Sequence, residues 1–473
     1  MLFNSYEFIF LFLPITIIIY YLLGKTKWSK LANVWLIIVS LFFYLYWNVK
    51  YLPLLLGSIL MNYICSGFII NFKEKNKNVA KLAFGIGVIF NIGLLGFYKY
   101  MDFFIENLNI VVGSNFNLLH IVLPLGISFF TITQLVYLVD CYKGIAKDHD
   151  FISYSLFVVF FPHLLAGPIL YHKPMMEQFE NRVNRLINWE NFTLGFSLFI
   201  LGLAKKVIIA DTLSSYVGIG FSNTVNLTLV DAWLTSLSYT FQLYFDFSGY
   251  SDMALGLARM LNINIPINFN SPYKAISISD FWRRWHMSLS SVIKNYIYIP
   301  LGGNRNGFVN KLKNLFIAMF ICGIWHGAGW TFVIWGAMHG IALVINNIWS
   351  KYGFSLPKIL GWLITFNFIN IAWVIFRAES IYDAFNIIQS MFGLEGLLLN
   401  IENLIIVKSK TNIILLGIVL LIGFVLSIFG KNSNEYIEKI KYDKRNVLLL
   451  GVLLAIVLKL MMSLSTEFLY FQF

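Results

Sequence analysis

This sequence predicts an all-α polytopic membrane protein, on three observations. Of its 473 residues, 58% are hydrophobic and only 12% charged, whereas soluble globular domains carry roughly a quarter charged residues. Apolar stretches near the roughly 20 residues needed to span a bilayer as helix recur along the chain. Lysine and arginine gather between those stretches, as positive-inside anchoring requires. The net charge of +12 therefore reads as anchoring in a membrane rather than as a footprint for nucleic acid. Three scattered cysteines, Cys65, Cys141 and Cys322, have neither disulfide nor metal-site spacing, so no metal is expected.

The first spans are read at 6–24, 32–48 and 51–72. The opening "MLFNSYEFIF" has no basic n-region and no small-residue cleavage site, so the first apolar run is read as a retained span. Lys25, Lys27 and Lys30 follow the first span, and Lys73, Lys75, Lys77 and Lys81 follow the third. Both loops read as cytoplasmic, which puts the N-terminus outside. Stretch 171–190 is amphipathic and is expected to lie in the interface. Stretch 263–313, with "NINIPINFNSPYK" and "PLGGNRNG", is irregular. Irregular backbone at membrane depth must be buried in protein or line a wet cavity. Later spans are read at 314–330, 331–349, 359–376, 411–430 and 447–463, with basic loops between them that leave both termini outside. No polar stretch is long enough for a separate soluble domain, so residues 1–473 are read as one membrane domain.

Ionisable side chains at membrane depth are costly, and each is a functional candidate. In "CGIWHGAGWTFVIWGAMHG" (322–340), His326 lies 12 residues beyond Asn314, about 18 Å of helix. That places it slightly past the middle of the core, toward the outside. Gly323 and Gly327 form a small-xxx-small ridge that predicts close packing on another helix. His339 on the following helix reads as a packing residue. In "SISDFWRRWHMSLSSVIKNY" (277–296), Ser279 or Asp280 is expected to cap a helix starting at Phe281. Phe281, Trp285, Leu289 and Val292 would form its apolar stripe. Arg283, His286, Ser290 and Lys294 would form a basic polar stripe suited to the phosphates of an anionic thioester donor, or simply a snorkelling interfacial helix. In "YFDFSGYSDMALGLARM" (244–260), Asp246 and Asp252 are expected either to pair with bases, for which Arg259, Arg283 and Arg284 are the candidates, or to order a helix break at Gly249.

The ordered motifs "FQLYFDFSGYSDMALGLARMLNI", "NFNSPY", "SISDFWRRWHMSLS", "YIYIPLGGNR" and "GIWHGAGWTFVIWGAMHG" run over Gln242–Gly340. In this order they resemble the membrane-bound O-acyltransferase family. The resemblance is to the bacterial branch that holds alginate O-acetylation, peptidoglycan O-acetylation and lipoteichoic-acid D-alanylation proteins. The opening "LFNSYEFIFLFLP" and closing "FLYFQF" also fit. The resemblance implies a ring of transmembrane helices around a thin central region, with re-entrant and interfacial helices and a tunnel between the two sides. It implies that His326 is the catalytic histidine and His286 the second one. It also implies that the tail 468–473 carries an acyl-accepting tyrosine, Tyr470.

An acyl thioester is an activated donor, so the chemistry needs a base for an acceptor hydroxyl and stabilisation of an oxyanion. His326 is read as that base, while His286 orients the donor or supports the tunnel. By resemblance the donor is acetyl-CoA, or alternatively an acyl carrier protein thioester. A separate extracytoplasmic esterase-like (SGNH-type) acetyltransferase would hand the group to a polysaccharide, and the chain would sit in the bacterial cytoplasmic membrane. Two other readings stay open: D-alanyl transfer to teichoic acid, and a transporter or flippase without chemistry, whose sign would be an inverted repeat.

Overall fold

The computed structural model describes residues 1–147, 149–394, 404–407, 409–440, 443–462 and 468–469. Among them every regular element is helical. Among the described residues, seven helices are long and apolar enough to cross a membrane: Val49–Phe72, Lys77–Val112, Trp189–Phe221, Phe308–His326, Trp330–Lys351, Lys358–Arg377 and Thr411–Ile428. Phe8–Gly24 and Leu31–Leu45 are apolar but shorter. The chain divides into two compact units, Met1–Phe199 with Met253–Pro266, and Ile200–Asp252 with Ile267–Phe473.

In the first unit, helices are joined by polar side chains that only a partner helix can satisfy. Asn62 and Asn91, both fully buried, exchange amide hydrogen bonds of 3.3 and 2.6 Å between helices Val49–Phe72 and Lys77–Val112. Gln134 donates to Ser58 at 2.9 Å and accepts from the Tyr154 hydroxyl at 3.0 Å. Lipid offers such groups no alternative partner, so these bonds fix which faces meet. The amphipathic stretch 171–190 contains His172–Glu180, nine residues and too short to span.

The 32-residue helix Leu229–Met260, of which residues 229–252 belong to the second unit, runs unbroken through Gly249. The expected break does not occur. A Cβ on Gly249 would lie 2.7 Å from the Gly202 carbonyl oxygen, so this glycine serves close helix approach rather than a kink. Thr240 on this helix donates to Asn370 at 2.6 Å, and Asn370 donates to Ser236 at 3.2 Å, tying in helix Lys358–Arg377.

The expected continuous helix from Phe281 to Lys294 is corrected. A short helix, Ile278–Trp282, is capped by Ser277, whose side chain accepts from the Asp280 N–H. The backbone then turns left-handed at His286 (φ 42°) before a second short helix, Met287–Ile293. The cause is backbone pairing with an irregular segment: Asn270 N–H donates to the Arg284 carbonyl, and Met287 N–H to the Asn268 carbonyl, both at 2.9 Å.

Candidate active site

His326 is the last residue of helix Phe308–His326, which starts six residues before the span read from sequence and ends four before it. Gly327 and Gly329 follow in extended conformation, and Trp330–Lys351 turns back beside it. The two helices touch backbone to backbone. A Cβ on Gly323 would sit 2.5 Å from the Phe332 carbonyl oxygen and 2.7 Å from Gly336 Cα. Gly327, beyond the helix end, instead leaves room for the Phe332 ring. This hairpin delivers His326 into an aromatic cage. Its ring centroid is 5.1 Å from Trp325, 5.2 Å from Trp335 and 5.4 Å from Phe376, and the residue is 5% exposed. A cavity of about 10 Å³ lies against it, lined by Leu243, Phe247, Trp285, His326, Trp373 and Phe376. That volume is at the lower limit for one water molecule.

His286 is fully buried. Its Nδ1 is 3.0 Å from Asn268 Oδ1, which also accepts from the Ser288 backbone N–H at 3.2 Å and the Ser288 hydroxyl at 2.8 Å. The backbone N–H can only donate, so the oxygen of Asn268 must face this cluster. His286 therefore carries its proton on Nδ1, and its Nε2 holds a lone pair that has no hydrogen-bond partner among the described residues. Burial pushes this imidazole down to about 3, so it stays neutral at physiological pH. Phe247 meets the His286 ring edge-on at 4.8 Å and also lines the His326 cavity. One phenyl ring thus connects the two histidines.

The residues expected to hold a donor are placed differently from one another. Arg283 and Lys294 are exposed, while Ser290 is half-buried with its hydroxyl donated to the Trp285 carbonyl at 3.3 Å. None of the three lines the His326 cavity. The broken helix removes the single polar stripe, because His286 points into the protein while Arg283 and Lys294 reach its surface.

Asp246 and Asp252 pair with lysines, not with the arginines expected from sequence. Lys206 Nζ lies 2.6 Å from Asp246 and 2.7 Å from Asp211, with all three side chains at least 96% buried. Lys205 lies 2.6 Å from Asp252. The sequence signal was present in "LAKKVIIAD", two lysines and an aspartate inside an apolar run. Arg259, Arg283 and Arg284 stand closer in sequence to the two carboxylates than these lysines do. The second carboxylate oxygen of Asp246 accepts the backbone N–H of Leu469 at 2.9 Å. The neighbouring Phe468 stacks on Tyr250 at 4.4 Å and touches Phe247 at 6.1 Å. Tyr470 lies outside the described residues.

His339 sits fully buried with its Nδ1 accepting the Trp282 indole N–H at 3.2 Å. A second cavity, of about 490 Å³, lies between helices Trp330–Lys351 and Lys358–Arg377. It is lined by apolar residues such as Ile341, Ile345 and Phe368 together with Ser277, Asn346 and Thr365, and among the described residues no histidine or carboxylate faces it.

A family model described as MBOAT, the membrane-bound O-acyltransferase family, matches residues 9–383. The chain is 48% identical over 427 residues to the peptidoglycan O-acetyltransferase of Helicobacter pylori, covering 84% of this chain and 80% of that protein. It is 42% identical over 401 residues to the probable alginate O-acetylase of Pseudomonas aeruginosa, covering 83% and 75%. It is 30% identical over 287 residues to the teichoic acid D-alanyltransferase of Streptococcus thermophilus, covering 53% and 68%. With a histidine caged at the end of a membrane-length helix, this multi-pass chain belongs to the membrane-bound O-acyltransferase family and is an O-acyltransferase.

Proposed function

We propose that the chain moves an acetyl group from a cytoplasmic thioester, acetyl-CoA or an acyl carrier protein, to its own Tyr470, for delivery to a polysaccharide outside the cytoplasmic membrane. His326 is the base. Its neutral imidazole takes the phenol proton, the phenol oxygen attacks the thioester carbonyl, and the C–S bond of the tetrahedral intermediate breaks. The departing thiolate takes the proton back from the imidazolium, leaving acetyl-tyrosine and a free thiol. A separate extracytoplasmic esterase-like transferase then moves the acetyl group to a glycan hydroxyl. A phenol ester suits this relay because phenolate, with a pKa of about 10, leaves far more readily than an alkoxide. Exposed Arg283 and Lys294, with Ser290 between them, attract the anionic donor at its entry, and His286 orients the site.

The observation that carries the proposal is the docking of the tail. Leu469 is bonded to the Asp246 carboxylate, and Phe468 touches the same Phe247 ring that lines the His326 cavity. Tyr470 is the next residue. Acetyl is chosen because the relatives at 48% and 42% identity are named for O-acetylation, against 30% for the D-alanyl protein. The test is Tyr470→Phe, which keeps the aromatic ring and removes the hydroxyl, alongside His326→Ala. Acetate released from the cell surface by mild alkali should disappear in both variants while the proteins accumulate in the membrane. Normal release in Tyr470→Phe would overturn the relay, and normal release in His326→Ala would overturn the base. Alanine in place of acetate would overturn the acetyl assignment.

A further inference from the structure

The Trp282–His339 hydrogen bond has no part in the chemistry above, yet its direction is fixed. An indole N–H can only donate, so His339 Nδ1 must be the acceptor, and the proton of the neutral ring sits on Nε2. That Nε2 has no hydrogen-bond partner among the described residues. Phe281, Trp282, Trp335, Phe368 and Trp373 surround the ring with centroids between 4.5 and 6.5 Å away. Hydrocarbon side chains in place of both partners would fill this space without leaving a buried donor unpaired. The histidine is therefore an expensive way to pack, and what its one bond achieves decides its role.

The bond holds His339 between two tryptophans. Trp282 meets it edge-on at 5.2 Å and Trp335 lies against it at 4.5 Å. Trp335 is fully buried and also meets the His326 ring at 5.2 Å and 87°. The short helix bearing Trp282 is tied a second time to the helix bearing His339, through Ser279, whose hydroxyl donates to Asn346 at 2.5 Å. The hydrogen bond is thus the polar link in a run of rings that ends on His326. Proton transfer demands that a base stand within about 2.6–3.2 Å of the hydroxyl in the right orientation, and misplacement by about 1 Å can cost a hundredfold in rate.

We propose that Trp282 and His339 form a positioning pair for the acyl-transfer base, holding Trp335 in the orientation that fixes the plane of the His326 imidazole. The inference rests on His326 being that base. His339 touches no reacting atom, so it is a positioning residue.

Three variants separate this role from packing. Trp282→Phe keeps an aromatic ring and removes the donor. His339→Leu removes the acceptor, and His339→Asn restores an acceptor oxygen near the place of Nδ1. The readout is the initial rate at which alkali-labile acetyl esters appear on the cell surface after induction, per unit of membrane-inserted protein. Trp282→Phe and His339→Leu should each lose about ten- to a hundredfold. The double variant should lose no more than either single one, because both break the same bond. His339→Asn should recover to within a few-fold of the wild type. A packing role gives the opposite order, with leucine tolerated and asparagine harmful, and that order would overturn the proposal. So would additive losses in the double variant. If Trp282→Phe runs at the wild-type rate while His326→Ala is inactive, the pair alone fails; if His326→Ala is itself active, the base assignment fails first.

Discussion

Replacing Lys206 with methionine removes one ammonium group and leaves two buried carboxylates facing the space it filled. Asp246 and Asp211 approach Lys206 Nζ at 2.6 and 2.7 Å, so their oxygens stand within about 5 Å of each other. At an effective dielectric of about 20, two unit charges at that separation repel by about 3 kcal/mol. Breaking a buried ion pair from one side costs about 3–5 kcal/mol in measured cases, and the two figures describe the same loss by different routes. Lys206→Met is therefore expected to destabilise the protein by about 3–5 kcal/mol, a large share of typical stability. The molecule supplies its own reporter, since Cys65, Cys141 and Cys322 are all buried. A thiol-reactive fluorogenic dye in detergent should report unfolding several degrees below the wild type. Asp246→Asn is the internal comparison: Lys206 keeps Asp211, and the amide oxygen still accepts the Leu469 N–H. Its deficit should be the smaller of the two. Unfolding of Lys206→Met at the wild-type temperature, or a larger deficit in Asp246→Asn, would refute the view that this ammonium holds the network together.

Reversing charge at exposed Arg283 or Lys294 should raise the apparent KM for acetyl-CoA severalfold in detergent while the rate at saturating donor stays near the wild type, and an unchanged KM in both variants would remove them from donor capture. Gly323→Ala would place a methyl 2.5 Å from the Phe332 carbonyl oxygen; it should cost about 1–3 kcal/mol by overpacking and lower activity by shifting His326. Gly85→Ala, whose new methyl meets nothing within 4 Å, should be neutral or stabilising by about 0.5–1 kcal/mol under the same dye assay.

Much of the helical layout was legible because apolar length and basic loops are local signals. Trp330–Lys351 and Lys358–Arg377 start and stop within two residues of the spans read from the sequence. His326 was legible for a related reason: an ionisable ring in an apolar run stands out whatever it touches. Its place at the very end of its helix was not, because the apolar run continues past it and only the extended Gly327 and Gly329 mark the stop. The reading failed where a local pattern met a distant partner. Phe281, Trp285, Leu289 and Val292 keep helical spacing, and all four are buried. The chain nevertheless breaks between them, because Asn268 and Asn270 offer backbone partners to Met287 and Arg284. Helical periodicity predicts which residues go inside; it does not predict that they get there on one continuous helix. The carboxylates fail in the same way. Burying Asp246 and Asp252 requires cations, which sequence can say, but which cations is a matter of helix packing, and the lysines stand 40 and 47 residues upstream of their respective partners. The tautomers of His286 and His339 lie further still from the sequence. Each is set by one donor or acceptor delivered from another element, Asn268 in one case and Trp282 in the other. The two rings consequently present opposite chemistry, a lone pair at His286 Nε2 and an N–H at His339 Nε2, although the sequence writes both with the same letter.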